Sequence, residues 1–563
     1  MVADIRYHKL GALVEQTKIN KDRYFKATEV KGGFDPTAKD RKHNLERELE
    51  LRKFDDLIKQ LQYLQQHPEQ EFTHFDWQLD FAEILNPTIA GENAGFDVVI
   101  GNPPYMRVQE INRVMPKNKK LLEKKYAVAK KSYDLANLFF ELAVRIANGR
   151  SSNCFIFPHK FFNSSSTAAF RDYLWKGKYI DKVVHFGANM VFNDADTYTC
   201  ITHFSPRHNH GFSLSKISFG EDWKKALSQL DFTSIRYEKL KIASELYGTN
   251  QWIFFKEEND YRVFEKTYKN SDKFKDVFKD IFQGIATSKD PLYFLEVDNE
   301  DDQYLYGRIG LSEEALQVEK TFFKPILKGR DVQRYSSLQT SLYVFFPYQI
   351  TEDKAQPIAL TQLQKKYPKT YDYVMKYEKE FKARESGKAG KMKHWYGYIY
   401  PKNLTKFDQV KLSSMEICSS YPNVTLNEDF YYHSTTVYSW VTKDEVEEGY
   451  EYFLAIANSR LLWWFLMNTG DTLQSDARRF KTNYLNPFPL PKNVSKEVEA
   501  LLKGKVRTVL EAKEQEEDTT AKEQEIDVLV FKLYQLTYEE ALQIEPNLWL
   551  DKKAYGRVHL PES

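Results

Sequence analysis

One stretch sets the architecture of this chain: Phe96-Asp97-Val98-Val99-Ile100-Gly101-Asn102-Pro103-Pro104-Tyr105. Residues 96–100 form a short apolar run rich in β-branched side chains, which is typical of a buried parallel strand. Gly101 ends the run, and the two prolines then exclude both strand pairing and an immediate helix. The pattern therefore predicts a stiff loop at the carboxyl end of a strand, where open α/β sheets bind their ligands.

Helices and strands alternate downstream of this loop. Residues 134–147 are apolar nearly all round, which predicts a helix buried between layers. A strand that ends at Pro158, a helix over 167–174 and a strand over 180–186 follow, and residues 190–201 are predicted to form a loop that leads into a further strand. This alternation predicts an α/β fold for residues 71–210.

Upstream of the loop, residues 1–70 are polar and mostly helical in pattern. The apolar residues between Arg41 and Gln66 recur at helical spacing, which predicts one long amphipathic helix. Residues 75–81 alternate apolar and polar side chains, which predicts a short strand before the central one.

The central loop resembles the catalytic motif of methyltransferases that modify the exocyclic amine of adenine in DNA. The resemblance implies S-adenosylmethionine as the cofactor and a partial Rossmann-like domain. The Asn102 side-chain oxygen and the Pro103 carbonyl would accept hydrogen bonds from the amine while its nitrogen attacks the methyl group and becomes positively charged. Pro104 and Tyr105 complete the motif. No metal ion is needed for this chemistry.

Further positions match the same family in residue type and order. The resemblance implies that Asp80 and Phe81, at the end of the preceding strand, contact the adenine ring of S-adenosylmethionine, and that Phe139 lines the same pocket. Phe192, in a Val-Phe pair before a strand, would stack with Tyr105 on the everted target base, at about 1–3 kcal/mol per base.

Two elements of the family pattern are missing from the sequence. A Gly-rich strand-turn-helix that holds the methionine part of the cofactor does not appear before Gly101. An acidic residue that closes the next strand and contacts the ribose hydroxyls of the cofactor does not appear either. We therefore expect this chain to be the carboxyl-terminal part of a methyltransferase, with a separate polypeptide supplying the missing half.

The predicted secondary structure changes from about residue 271. Strands alternate with tight turns up to residue 495, and the order of the landmarks resembles the target-recognition domain of type IIG restriction–modification enzymes. We thus predict a connector over 211–270, an α+β DNA-specificity domain over 271–495 and a helical segment over 496–563.

Double-stranded DNA is the expected partner, although the overall charge does not indicate it: Lys+Arg number 81 and Asp+Glu 80. Residues 107–131 carry nine basic and two acidic side chains, which suits a phosphate clamp. Arginine and lysine can contact phosphates or guanine edges. The candidates for DNA contact are Arg107, Lys328, Arg330, Arg334 and Lys411.

Three widely separated cysteines and the lack of a signal peptide or long apolar run predict a cytoplasmic protein with reduced thiols and no membrane partner. Two other functions remain open. One is methylation of RNA or of a glutamine amide in protein by the same chemistry. The other is a DNA-binding specificity subunit or inactive remnant that transfers no methyl group.

Overall fold

The computed structural model describes residues 2–33, 36–67, 77–192, 197–255, 257–352 and 354–561. The chain divides into two compact units. Unit 1 comprises Met1–Pro103, Leu138–Phe155 and His203–His208. Unit 2 comprises Pro104–Asn137, Ile156–Thr202 and Asn209–Ser563.

Unit 1 begins with an antiparallel pair of helices, Val2–Ala27 and Ala38–Gln66. Thr37 caps the second helix through a reciprocal pair of hydrogen bonds with Asp40. The helices meet through buried apolar side chains on one stripe of each: Leu10, Val14, Leu61 and Leu64. The long amphipathic helix predicted over residues 41–66 is confirmed.

Short helical turns precede the central strand, namely Trp77–Asp80, Ala82–Leu85, Pro87–Ala90 and Gly91–Asn93. The strand predicted over 75–81 is wrong for residues 77–80, and residues 75 and 76 lie outside the described part. Trp77 and Phe81 are four residues apart, so a helical turn brings both rings against Phe96, with ring centroids 6.0 and 5.1 Å away.

Two parallel strands form the sheet of unit 1: β1 (Phe96–Gly101) and residues 147–155 of β2 (Ala147–Pro158). Helix Leu135–Ile146 runs directly into β2, as predicted. Among the described residues β1 pairs with β2 alone, and the side chains of Val98 and Ile100 are 56% and 76% exposed. The predicted burial of β1 is therefore wrong, because the strand lies at a sheet edge.

Unit 2 continues with β3 (Ile180–His185), residues 199–202 of β4 (Thr199–Phe204), β5 (Gly211–Lys216) and β6 (Thr233–Arg236). The order is β2-β4-β3-β5-β6, with β3 and β5 parallel and β6 antiparallel to β5. The helices of this part are Val108–Val114, Pro116–Lys125, Ala168–Gly177, Trp223–Ala226, Tyr237–Tyr247 and Glu258–Thr267.

Two larger sheets follow in unit 2. The first has, in spatial order, strands Ser312–Glu319, Tyr304–Ile309, Phe294–Glu300, Leu342–Phe345, Phe323–Leu327 and Tyr432–His433. The second has Val424–Asn427, Lys411–Met415, Val437–Thr442 and Phe278–Gln283. Helices Leu360–Lys366, Pro368–Lys376 and Glu378–Gly387 supply apolar side chains to the core of the first sheet.

Helices dominate the carboxyl-terminal part of unit 2. They are Tyr450–Ala457, Arg460–Thr469, Thr482–Leu485, Lys496–Glu514, Thr520–Leu533, Tyr538–Ile544 and Lys552–Arg557. The predicted mixed α/β class is confirmed, while the domain boundaries drawn from the sequence stay predictions. Within the described ranges, no helix combines the length and apolar character that crossing a bilayer requires.

Candidate active site

In unit 1, two side chains fix the end of β1. The amide oxygen of the buried Asn153 accepts from Val99 N at 3.1 Å, and its nitrogen donates to Ser151 Oγ and Phe204 O. Gly101 packs closely on β2, since a Cβ there would lie 3.2 Å from Phe155 Cε1. The chain then continues into exposed Asn102 and buried Pro103. The Asn102 amide is therefore accessible from outside unit 1.

In unit 2, the loop continues with exposed Pro104 and half-buried Tyr105. The Tyr105 hydroxyl donates to Ile156 O on β2 at 3.0 Å. Burial, together with the nearby acidic groups of Cys200 and Asp134, raises the pKa of Tyr105. The phenol is therefore neutral at physiological pH, and its ring has a fixed position.

Backbone pairing with Tyr133–Leu135 holds the residues after Tyr105. Val108 N donates to Tyr133 O at 2.9 Å, and Leu135 N donates to Met106 O at 2.8 Å. The Asp134 carboxylate accepts from Met106 N at 3.2 Å and from Ala136 N at 3.0 Å. It therefore fixes both the loop and the start of helix Leu135–Ile146.

Asp134 is a site residue that the sequence reasoning missed. Burial raises its pKa, an effect that the two backbone hydrogen bonds and Arg107 oppose. An aspartate directly before an apolar helical run is an N-cap signal, so the sequence did contain a clue.

Phe192 is half-buried in unit 2, two residues after Met190. Its neighbour Val191 packs against the cluster of Val184, Phe186 and Ile217. The ring of Phe192 makes no direct contact with that of Tyr105, both of which lie in the described part of the chain. Residues 193–196, predicted to continue this loop, lie outside it.

The three cofactor candidates all lie in unit 1. Asp80 is exposed at the end of helix Trp77–Asp80, so the Asp-Phe pair ends a helical turn and not the predicted strand. The Phe81 ring stacks on Trp77 with centroids 5.8 Å apart. Phe139 is 40% exposed on helix Leu135–Ile146. An exposed carboxylate and an exposed ring suit an adenine amine and an adenine face.

Three of the DNA candidates have accessible positions. Arg107 is exposed at the start of helix Val108–Val114. The Arg330 side chain is 80% exposed, with Nε 3.6 Å from Asp331 Oδ1. Lys328 is half-buried, and its Nζ lies 5.0 Å from the centroid of the Phe294 ring.

The structure contradicts the other two DNA candidates. Arg334 forms a largely buried ion pair with Glu523 at 2.8 Å and donates to Asn458 O at 3.0 Å, so its guanidinium is committed within unit 2. Lys411 is fully buried and donates to Phe407 O and Gln409 O at 2.7 and 3.2 Å. Burial lowers the pKa of Lys411 to about 8. Neither side chain is available to phosphate or bases.

Two family models match the chain. Residues 10–192 match the Eco57I restriction-modification methylase, and residues 324–490 match the TaqI-like C-terminal specificity domain. The first match contains β1 and the Asn-Pro-Pro-Tyr loop. The second contains most strands of the two larger sheets.

One curated relative and one solved structure extend these matches. The type II restriction enzyme and methyltransferase RM.Eco57I of Escherichia coli is 26% identical over 414 residues, which cover 71% of this chain and 40% of the relative. The chain thus spans less than half the length of that relative. The type IIL restriction-modification enzyme MmeI in complex with DNA has a TM-score of 0.53 at 12% identity, covering 86% of this chain and 59% of MmeI.

The predicted resemblance to restriction–modification methyltransferases and to their specificity domains is confirmed as a similarity of these two segments. The chain thus contains a segment similar to the Eco57I restriction-modification methylase, followed by a segment similar to the TaqI-like C-terminal specificity domain, and it is similar over 71% of its length to a type II restriction enzyme and methyltransferase.

Proposed function

We propose that this chain is the catalytic and DNA-recognising part of an adenine-specific DNA methyltransferase of a restriction–modification system. The observation that carries the proposal is the exposed amide of Asn102, which follows a parallel strand inside the segment that matches the methylase family. DNA as the partner is supported by the specificity-domain match and by relatives that are restriction-modification enzymes.

The loop residues compensate for the weak nucleophilicity of the adenine amine. The lone pair of an adenine amine is delocalised into the ring, so the nitrogen must become pyramidal before it can react. The Asn102 oxygen and the Pro103 carbonyl accept the two amine protons, which favours that geometry and stabilises the developing positive charge. S-adenosylmethionine, when bound, supplies the electrophilic methyl group.

The aromatic residues hold the everted base. Burial keeps the Tyr105 phenol neutral, and the hydrogen bond from its hydroxyl to Ile156 O positions the ring. Phe192 supplies the second ring. Stacking contributes about 1–3 kcal/mol per base, which offsets part of the cost of removing the base from the duplex.

The cofactor candidates fit the adenine end of S-adenosylmethionine in their chemistry. The exposed Asp80 carboxylate can accept from the adenine amine, and the Phe81 and Phe139 rings offer apolar faces. Val98 and Ile100 add exposed apolar surface on β1 in the same unit.

The open edge of β1 also supports a second polypeptide as partner. An edge strand with exposed apolar side chains is a template for a further strand. We infer that a separate chain carrying the Gly-rich cofactor-binding motif pairs with this edge.

Substitution of Asn102 tests the proposal directly. Asn102→Ala removes one acceptor for the amine, so transfer of tritiated methyl groups to duplex DNA should fall about 100- to 1,000-fold, the usual cost of losing one such contact. The control Asn112→Ala changes an exposed asparagine on helix Val108–Val114 and should leave transfer unchanged. Transfer to RNA or protein in place of DNA would contradict the proposal.

Loss of transfer without loss of DNA binding is the expected pattern for Asn102→Ala. A wild-type chain that binds duplex DNA but transfers nothing, even with its partner present, would instead show a DNA-binding specificity subunit.

A further inference from the structure

Helix Pro116–Lys125 concentrates positive charge, with five lysines against one glutamate. It lies in unit 2 and follows the Asn-Pro-Pro-Tyr loop after helix Val108–Val114. Like charges three or four residues apart destabilise a helix. A run of lysines on such a helix therefore requires a compensating reason.

Packing within the chain does not supply that reason. The structure describes every residue of helix Pro116–Lys125, and none of them is buried. The chain is anchored on either side of the helix instead, because Ile111 before it and Val128 and Ala129 after it are each at most 2% exposed. The helix is thus held at both ends, and its side chains are left available to a partner.

Three of the lysines form a stripe along one face of the helix. Lys117, Lys120 and Lys124 are three and four residues apart, which places them on the same face, and all three are exposed. None of the three forms an ion pair with any described residue. The single glutamate, Glu123, lies on another face, with Oε1 3.6 Å from Lys119 Nζ. The stripe is therefore a line of positive charge that the chain itself does not compensate.

A solvated helix of the same unit has a different pattern of charge. Helix Lys496–Glu514 carries five basic and four acidic residues. Its cations also pair with acidic residues of other elements, Lys505 with Glu525 at 2.6 Å and Arg507 with Glu451 at 2.8 Å. Mixed and paired charges reduce the repulsion along that helix. The stripe on helix Pro116–Lys125 fits an external polyanion better than it fits a solvated face.

The length of the stripe suits a phosphate backbone. Lys124 follows Lys117 by seven positions, which corresponds to about 10 Å along the helix axis. One DNA strand carries a phosphate for about every 3.4 Å of duplex axis, so the stripe can face about three phosphates. Lysine binds phosphate as a point charge, and such contacts carry no sequence information.

We propose that Lys117, Lys120 and Lys124 contact the phosphate backbone of bound duplex DNA. The proposal rests on the proposed function, because it takes duplex DNA as the partner. It deepens that function by assigning a sequence-independent anchor to the segment that follows the Asn-Pro-Pro-Tyr loop. Contacts of this kind fix the position of the duplex without reading its bases.

A duplex of mixed sequence is the probe, because phosphate contacts do not depend on sequence. The triple variant with Lys117→Gln, Lys120→Gln and Lys124→Gln should bind it more weakly. Its slope of log affinity against log salt should become shallower by about 2 to 3, since each lost phosphate contact removes about 0.9. The corresponding triple arginine variant keeps the charges and should keep the wild-type slope. The control triple variant replaces with glutamine three exposed lysines that pair with acidic residues, and it should leave the slope unchanged: Lys376, Lys496 and Lys552.

Stability separates this role from a structural one. The triple glutamine variant should keep or raise the midpoint of urea denaturation, because it removes repulsion within one helix and glutamine is as good a helix former as lysine. A wild-type salt slope in that variant, an equal change in the control, or a loss of affinity that follows a lower midpoint would overturn the inference alone. Failure of the wild-type chain to bind any duplex would overturn the proposed function as well.

Discussion

The carboxylate of Asp134 positions two segments of the chain. It accepts from Met106 N, directly after the Asn-Pro-Pro-Tyr motif, and from Ala136 N at the start of a helix. The carboxylate is partly desolvated, which raises its pKa. At such a place an unsatisfied N–H would be costly. Its effect on catalysis would be exerted through Tyr105.

Asp134→Ala should lower the free energy of unfolding by about 1–2 kcal/mol, the cost of a lost N-cap, and should also reduce methyl transfer. Asp134→Asn keeps an oxygen for both N–H groups and should recover most of each. Urea denaturation and tritium transfer measure the two effects.

Asp222→Ala provides the matched control. Asp222 caps helix Trp223–Ala226 by accepting from Lys224 N. Its loss should affect stability and leave transfer unchanged. An equal loss of transfer in both variants would show that Asp134 has no positioning role.

At the scale of elements, β1 depends on a close fit to β2 at its start. Gly95 has φ +124°, and a Cβ there would lie 2.4 Å from Asn148 N. The Asn148 side chain meanwhile donates to Gly95 O and to Asp97 Oδ1. The entry into β1 therefore tolerates no side chain at residue 95.

Gly95→Ala should lower the unfolding midpoint and speed amide exchange at Val99, because the strand must shift away from Asn148. Gly149→Ala is the matched control, since a Cβ there meets open space. It should be neutral or slightly stabilising. Equal behaviour of the two variants would contradict the close packing of β1 on β2.

The sequence predicted this element only in part. Strand β1, the loop after it and the helix Leu135–Ile146 follow from local apolar runs and prolines, and all three are confirmed. The prediction that β1 is buried was wrong, because the burial of a strand depends on which strands pair with it and not on its composition. The Asp80-Phe81 segment was also wrong, because its spacing satisfies a helical turn as well as a strand.

At the scale of the whole molecule, the exposed edge of β1 leads to a prediction about assembly. Co-expression with a polypeptide that carries the Gly-rich cofactor-binding motif should give a complex that binds S-adenosylmethionine in calorimetry. Amides of Val98 and Ile100 should exchange more slowly in the complex, because a new strand covers the edge.

Ile100→Lys should prevent co-purification by placing a charge in the new interface. Ile350→Lys changes another exposed isoleucine and serves as the control. If the chain binds S-adenosylmethionine with the same affinity in the absence and in the presence of the second polypeptide, the proposed partner is excluded.

The order of amino acids was enough to predict the mixed α/β class of the fold and the residues of its central loop. The residues of the motif from Asn102 to Tyr105 are contiguous, so their functional groups can be identified from the sequence without knowledge of the fold. Which charged side chains reach the surface follows from the packing of the folded chain. Arg334 and Lys411 are both basic, and the sequence does not show that they are buried. In the folded chain, Arg334 pairs with Glu523 and Lys411 donates to Phe407 O, so neither side chain is free at the surface. Exposure is a property of packing, and a linear pattern does not contain it.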